Sequence, residues 1–180
     1  MNRREVLLAE LAAEMARRGA KRIAIDGVDG AGKTTFADEL AVSIGGAVSR
    51  IRADDHLNPP EVRHARGGDD PEGFWLDSYD HDSLRAATEG AAQPVIVDGL
   101  FLHRDELVDL WDFSIWLDVP FEVSVPRMGA RDGTSPDPDD PSQRRYVEGN
   151  RIYMEACKPW QRATMVIENA DFEAPLIVTV

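Results

Sequence analysis

The sequence holds a single cysteine, Cys157, among 180 residues. An internal disulfide is therefore excluded, and a reducing compartment is expected. A lone cysteine of this kind reads as a small buried apolar residue rather than a working thiol. Positive charge is also scarce. Only 20 Lys and Arg stand against 33 Asp and Glu, a net charge of −13. Nucleic acids and anionic membranes need an extended basic face, so neither is an expected partner. Long apolar runs are missing too, and no stretch could span a bilayer. The N-terminal stretch MNRREVLLAELAAEMARRGAKR is not a targeting segment, because Glu5, Glu10 and Glu14 break its apolar residues. Val6, Leu7, Leu11 and Met15 recur there at helical spacing, and Gly19 supplies a stop. An amphipathic helix packed on a cytoplasmic domain is the expectation.

What the chain does have is 43% hydrophobic and 29% charged residues, the balance of a globular fold. Its length suits one domain over residues 1–180. Apolar β-type runs at Arg22–Asp26, Val48–Ala53, Pro94–Asp98, Phe113–Asp118 and Met165–Glu168 alternate with helical stretches. The helical stretches are Lys33–Ile44, Asp82–Ala92, Arg104–Leu110, Phe121–Arg131 and Gln143–Cys157, and Leu176–Val180 could add an edge strand. That alternation predicts an α/β fold of three layers, a parallel sheet of about five strands with helices on both faces. Asp26, Asp98 and Asp118 each end a strand, which is where such sheets hold ligands.

Two segments break the pattern. Asn58–Tyr79 is rich in Pro, Gly and charge yet carries Phe74, Trp75 and Tyr79. A loop of that length inside a compact domain is usually functional or disordered, and its aromatics suggest a substrate-side flap over 58–80 with a short helix. Gly133–Ser142 has three prolines and reads as a mobile surface loop.

Gly27-Val28-Asp29-Gly30-Ala31-Gly32-Lys33-Thr34 fits G-x-x-x-x-G-K-[ST] in full, between a predicted strand and a predicted helix. Glycines let successive backbone N–H groups turn inward towards phosphate oxygens, and the helix start adds its positive dipole end. Lys33 can reach the β- and γ-phosphates, and the Thr34 hydroxyl can ligate Mg²⁺. Gly27, Asp29, Gly30, Ala31, Gly32, Lys33, Thr34 and Thr35 are thus the expected contacts of an ATP-like donor. Asp98, at the end of the apolar strand Val95-Ile96-Val97, is the expected second metal-side group. Strand-terminal aspartates have other uses, and Asp118 has the same form.

No Asn-Lys pair is present for a guanine-reading motif, and Asp98-Gly99-Leu100-Phe101 lacks D-x-x-G spacing. A switch GTPase is therefore disfavoured. With a long flap and an arginine cluster flanking a loop, the chain resembles the uridine kinase-like nucleoside kinases, a branch of the P-loop small-molecule kinases. The resemblance runs from Ile23 to about Asn169. It rests on the phosphate loop, Asp54-Asp55-His56, Ser78-Tyr79-Asp80-His81, Val97-Asp98-Gly99, Asp118-Val119-Pro120 and the arginines from Arg127 onward.

The resemblance implies transfer of the ATP γ-phosphoryl group to a hydroxyl of a nucleoside-like acceptor, with Mg²⁺. Asp54 matches the family's base, and Asp80 matches an aspartate that holds ribose hydroxyls. His56 and Tyr79 fall in the acceptor half as pocket-wall residues. Arginines of a lid region over 127–151 would neutralise the transferred group, with Arg127, Arg131 and Arg151 as candidates. The family is often oligomeric, so a homo-oligomer is considered. Other readings stand beside these. Asp54 and Asp55 could cap the next segment, Asp80 or Asp82 could cap the helix after it, and some of the arginines could form solvated ion pairs. Pro126 should kink the helix that carries Arg127.

The sequence departs from the uridine kinases in one respect. Leu84 to Pro94 is Ala-rich and helical, leaving no room for the β-hairpin that reads uracil in that family. Either Phe74, Trp75 and Tyr79 stack on a base or the acceptor is not a pyrimidine nucleoside. A nucleoside monophosphate, pantothenate, a sugar or a vitamin-like alcohol are alternative acceptors, and a non-kinase NTP-binding module is the contrasting class. Thymidylate kinases share Asp29-Gly30-Ala31-Gly32-Lys33-Thr34, but their Asp-Arg-Tyr/Phe and Arg-Glu-Pro stretches are absent here.

Overall fold

A computed structural model describes residues 1–178. The chain begins with α1 (Arg3–Arg18), capped reciprocally by Asn2 and Glu5 and ended by Gly19 in the left-handed region. Then follow β1 (Arg22–Gly27), α2 (Lys33–Ile44) and β2 (Ser49–Arg52). The flap contributes α3 (Pro60–Arg63) and α4 (Pro71–Asp77), and α5 (His81–Gly90) leads into β3 (Val95–Gly99). The C-terminal part is β4 (Phe113–Asp118), α6 (Phe121–Asp132), α7 (Arg144–Cys157), α8 (Pro159–Arg162), β5 (Met165–Glu168) and β6 (Leu176–Val178). Among the described residues, no helix is long and apolar enough to cross a membrane.

The six strands lie in the order β2-β3-β1-β4-β5-β6. The first five are parallel, and β6 adds an antiparallel edge through Ile167↔Ile177. The expected edge strand is thus present at Leu176–Val178, and its last two positions lie outside the described residues. Strand alternation assigns the two faces. Phe113 lies under the Arg18 guanidinium of α1. Trp116, three residues on and so on the opposite face, packs against Tyr153 of α7. Phe36 and Leu40 of α2 are fully buried with Ile23, Ile25, Val95 and Val97 in one continuous core.

One expectation needs correction, and the packing bears on two others. Arg104–Leu110 is not an α-helix but a run of turns ending in a 3₁₀ turn at Val108–Leu110. Arg104 is instead buried over Trp75 and donates to the Trp75 carbonyl. Secondly, α7, at the C-terminal end of the expected lid region, is packed on the flap. Arg145, Asn150 and Tyr153 are buried, and Gly149 lets the helix approach α4 so closely that a Cβ there would meet Phe74 Cδ1 at 2.6 Å. Packing of that kind joins α7 and α4 as one unit. Thirdly, Phe74, Trp75 and Tyr79 are not free for stacking on a ligand. They bury their rings against Phe101, with Phe74 also on Tyr146 and Trp75 on Tyr153. The flap is therefore anchored through its aromatics, and Arg145 fastens it further by donating to the carbonyls of Arg63 and Asp70 at 2.9 Å each.

Candidate functional site

Parallel pairing brings the carboxyl ends of β1, β3 and β2 side by side, with Ile25 beside Asp98 and Arg52 beside Asp98. The loop after β1 and the segment after β2 consequently open into one cleft of about 440 Å³. Its walls carry Asp29, Lys33, Thr34 and Thr35 from the loop and α2 start, Arg52, Asp54 and Asp55 from the end of β2, Asp98 from β3, and Arg131 from α6.

The loop owes its shape to two glycines with positive φ, Gly30 at +76° and Gly32 at +87°. At Gly30 a side chain is excluded twice over, because its Cβ would stand 2.1 Å from the Ser124 carbonyl oxygen. Lys33 Nζ donates to the Val28 carbonyl at 2.8 Å. Burial depresses the Lys33 pKa, opposed by the fields of Asp29, Asp26, Asp54 and Asp98. Asp29 shows the converse. Burial raises its pKa, against Lys33 and the 3.0 Å bond from Asn150. The site is thus rich in charge held at low dielectric, where added phosphate charge interacts strongly with the cations.

Thr34 Oγ1 donates to Asp98 Oδ2 at 2.7 Å, and Arg50 donates to Asp98 Oδ1 at 2.8 Å. A hydroxyl and a carboxylate held together beside a phosphate loop suit Mg²⁺, which takes one or two protein oxygens and completes its shell with phosphate and water. Among the described residues, no group of three or more His, Cys, Asp or Glu forms a protein-only metal cage.

On the β2 side of the cleft, Asp54 sits in a 3₁₀ turn (Ala53–His56) directly after β2. Its Oδ1 accepts the Tyr79 hydroxyl at 2.9 Å, and that hydroxyl accepts from Leu100 N at 3.3 Å. Burial raises the Tyr79 pKa well above the usual phenol value, so the group is a fixed donor to Asp54.

Not every expected residue reaches the cleft. Gly27 and Ala31 support the loop from within, and the Ala31 carbonyl accepts from Asn169 at 2.8 Å. His56 shares a 2.8 Å hydrogen bond with Ser83. Asp80 accepts from Ser83 N at 2.9 Å and so caps α5, as one of its two readings held. With Tyr79 and His81 it lines a neighbouring depression rather than the cleft. Arg127 turns away, donating to the carbonyls of Asn169 and Ala170 and stacking 3.8 Å over Phe172. Arg151 pairs with Glu148 and covers Phe121. Arg131 alone of the three arginines enters the cleft, with Asp132 on its outer side at 2.7 Å.

One contributor was missed in the sequence, and another was noted only as a strand-end acid. Arg52 lines the cleft, and among the described residues no acid pairs with it. The motif reading began two residues later at Asp54 and passed over it. Asp26 is the other. Its carboxylate is buried and accepts from Gly27 N, Leu102 N, His103 N, His103 Nδ1 and the Tyr153 hydroxyl, the last at 2.5 Å. It ties the strand before the phosphate loop to α7. Its only sequence signal was its place at a strand end.

A mostly parallel sheet with a glycine loop after β1, Lys-Thr opening α2 and an aspartate ending β3 defines a P-loop nucleotide-binding α/β protein. The chain belongs to the AAA domain family, whose profile matches residues 23–151. No curated protein matches it in sequence. Solved structures with the same fold include a uridine kinase, itself provisionally assigned, from Bacillus stearothermophilus. It is 20% identical with a TM-score of 0.68, covering 91% of this chain and 96% of that one. A provisionally assigned fructose transport system kinase from Silicibacter sp. TM1040 is 22% identical with a TM-score of 0.63, over 83% of this chain and 94% of that one. Shikimate kinase from Bacteroides thetaiotaomicron is 18% identical with a TM-score of 0.57, over 86% and 89%.

Proposed function

We propose that the protein is an ATP-dependent kinase that transfers the γ-phosphoryl group to a hydroxyl of a small polar alcohol, with nucleosides the first acceptors to test. One observation carries this reading. Asp54, fixed by Tyr79, opens into the same cleft as Lys33 and the phosphate loop. A carboxylate oriented in this way can take a proton from an alcohol or from water, and the acceptor panel below separates transfer from hydrolysis.

The loop amides and Lys33 would hold the donor phosphates. Thr34 and Asp98 would hold Mg²⁺, which when bound shields phosphate charge. Asp54 would accept the acceptor's hydroxyl proton as the oxygen bonds to the γ-phosphorus and the bond to ADP breaks, a contribution of roughly 10²–10⁴ in rate. Arg131 would face the transferred group from α6. The acceptor half is polar, built from Arg52, Asp54 and Asp55 with Leu100. Because Phe74, Trp75 and Tyr79 are spent in the core, recognition through hydroxyls is favoured over base stacking.

The test is ADP release with Mg²⁺-ATP and a panel of nucleosides, nucleoside monophosphates, sugars, pantothenate and vitamin-like alcohols. Strong stimulation by one compound, with its phosphorylated product detected, supports the kinase. Equal slow hydrolysis with every compound favours the regulatory module.

A further inference from the structure

We propose that two copies of this chain associate through the outer edge of β6 and the adjoining face of α1, extending the sheet across a two-fold axis. Three observations converge on this edge.

Among the described residues β6 is the last strand of the sheet, hydrogen-bonded to β5 on one side only. Its three residues, Leu176, Ile177 and Val178, are 53%, 41% and 40% exposed. Sheet edges are normally guarded by charge, by proline or by a covering element, because an open apolar edge invites another strand. Among the described residues the guard here is Pro175, one residue before the strand, which limits pairing to a short segment without preventing it.

The edge is continued by α1. An apolar groove of about 390 Å³ runs between Pro175, Leu176 and Ile177 on one bank and Arg3, Val6, Leu7 and Glu10 on the other. These helix positions stand at i, i+3, i+4 and i+7, a single face. Val6 is 38% exposed at its centre.

The charges on that face select a second copy as the occupant. Arg3 and Glu10 lie at opposite ends, and neither has an ion-pair partner among the described residues. An axis normal to the sheet that pairs β6 with β6 antiparallel also sets the two α1 helices antiparallel on one face. Val6 then meets its counterpart near the axis, Arg3 faces Glu10 of the other copy, and Glu10 faces Arg3. The patch is self-complementary, as a two-fold contact requires. Arg3 and Glu10 balance one another, so this face lacks the negative excess of the chain as a whole and two chains of net charge −13 can approach there.

Sedimentation velocity on the full chain, across a series up to about 100 µM, tests the proposal. The expected mass is twice 19.9 kDa. Ile177→Lys should leave a monomer with the far-UV CD of wild type, melting like wild type diluted until it too is monomeric, since the residue is 41% exposed. Arg3→Glu and Glu10→Arg should each weaken dimerisation by roughly tenfold, through two lost pairs and two repulsive ones. Arg3→Glu with Glu10→Arg should restore it. A wild-type protein that stays monomeric overturns the proposal. So does a dimer indifferent to Ile177→Lys, or a double swap no tighter than either single change.

Discussion

The Tyr79 hydroxyl donates to Asp54 Oδ1 at 2.9 Å while accepting from Leu100 N at 3.3 Å. One buried phenol thus joins the acid after β2 to the backbone after β3. Tyr79→Phe should lower kcat by about tenfold and leave ATP affinity unchanged, because the acid remains but is no longer held. It should also cost about 1 kcal/mol of stability, since Leu100 N loses its acceptor. Asp54→Asn is expected to lose about 10²–10⁴ in kcat with nucleotide binding retained. Unchanged turnover in Asp54→Asn would move the base elsewhere, to Asp55 first.

Lys33→Ala should abolish measurable transfer, a loss on the order of 10²-fold or more, with the fold intact. Its ammonium donates to the Val28 carbonyl, and the side chain lines the cleft outside the hydrophobic core. Circular dichroism with a coupled ADP assay checks both halves. Normal turnover would sink the assignment of the phosphate loop.

Gly149→Ala should destabilise the protein by about 1–3 kcal/mol, the range for overpacking. The added methyl would press on Phe74 Cδ1 at 2.6 Å and on the Pro71 carbonyl at 2.9 Å. Because that contact joins α7 to the flap, urea denaturation should show the loss and KM for the acceptor should rise. A variant as stable as wild type would mean that α4 shifts at no cost.

Arg52→Ala should raise the acceptor KM more than it lowers the affinity for ATP, since Arg52 stands at the β2 wall with Asp54 and Asp55. Isothermal titration with a non-hydrolysable ATP analogue, set beside steady-state kinetics, separates the two. A loss confined to nucleotide affinity would place Arg52 on the donor side.

Glu106 supplies a pH-dependent term. The paired hydrogen bonds from Arg104, at 2.8 and 3.0 Å, bring its pKa from an ordinary 4.5 down to about 2. A depressed carboxylate stabilises the fold fully above the unfolded value and loses that contribution as pH falls through the folded one. Wild type should therefore exceed Glu106→Gln by up to about 1 kcal/mol at pH 7, the modest figure reflecting a half-exposed side chain. The gap should narrow between pH 4.5 and 2, and a gap that does not change with pH would contradict the pairing. Urea midpoints at several pH values read this directly.

Local sequence carried the strands, the phosphate loop and Asp98, because each rests on short-range rules. Those rules are apolar runs of strand length, glycines where φ is positive, and a helix start behind a loop. The same rules placed α2, α5 and α6 to within two residues. They failed at Arg104–Leu110, where Arg104 is held by Trp75 of the flap, and left open the place of Phe74, Trp75 and Tyr79, whose aromatic character is equally suited to core and to ligand.

Those choices depend on partners distant in the chain. Phe101 and Tyr153 decide that the flap aromatics face inward, and Asn169 and Ala170 decide that Arg127 turns from the cleft. Composition and spacing settle which chemistry a segment can offer. Only packing among residues tens of positions apart settles which side chains are consumed by the core and which remain for a ligand. The phosphate loop was legible because its form lies in its own backbone, and the rest of the cleft was not because its walls are assembled from β2, β3 and α6 only when the sheet has formed.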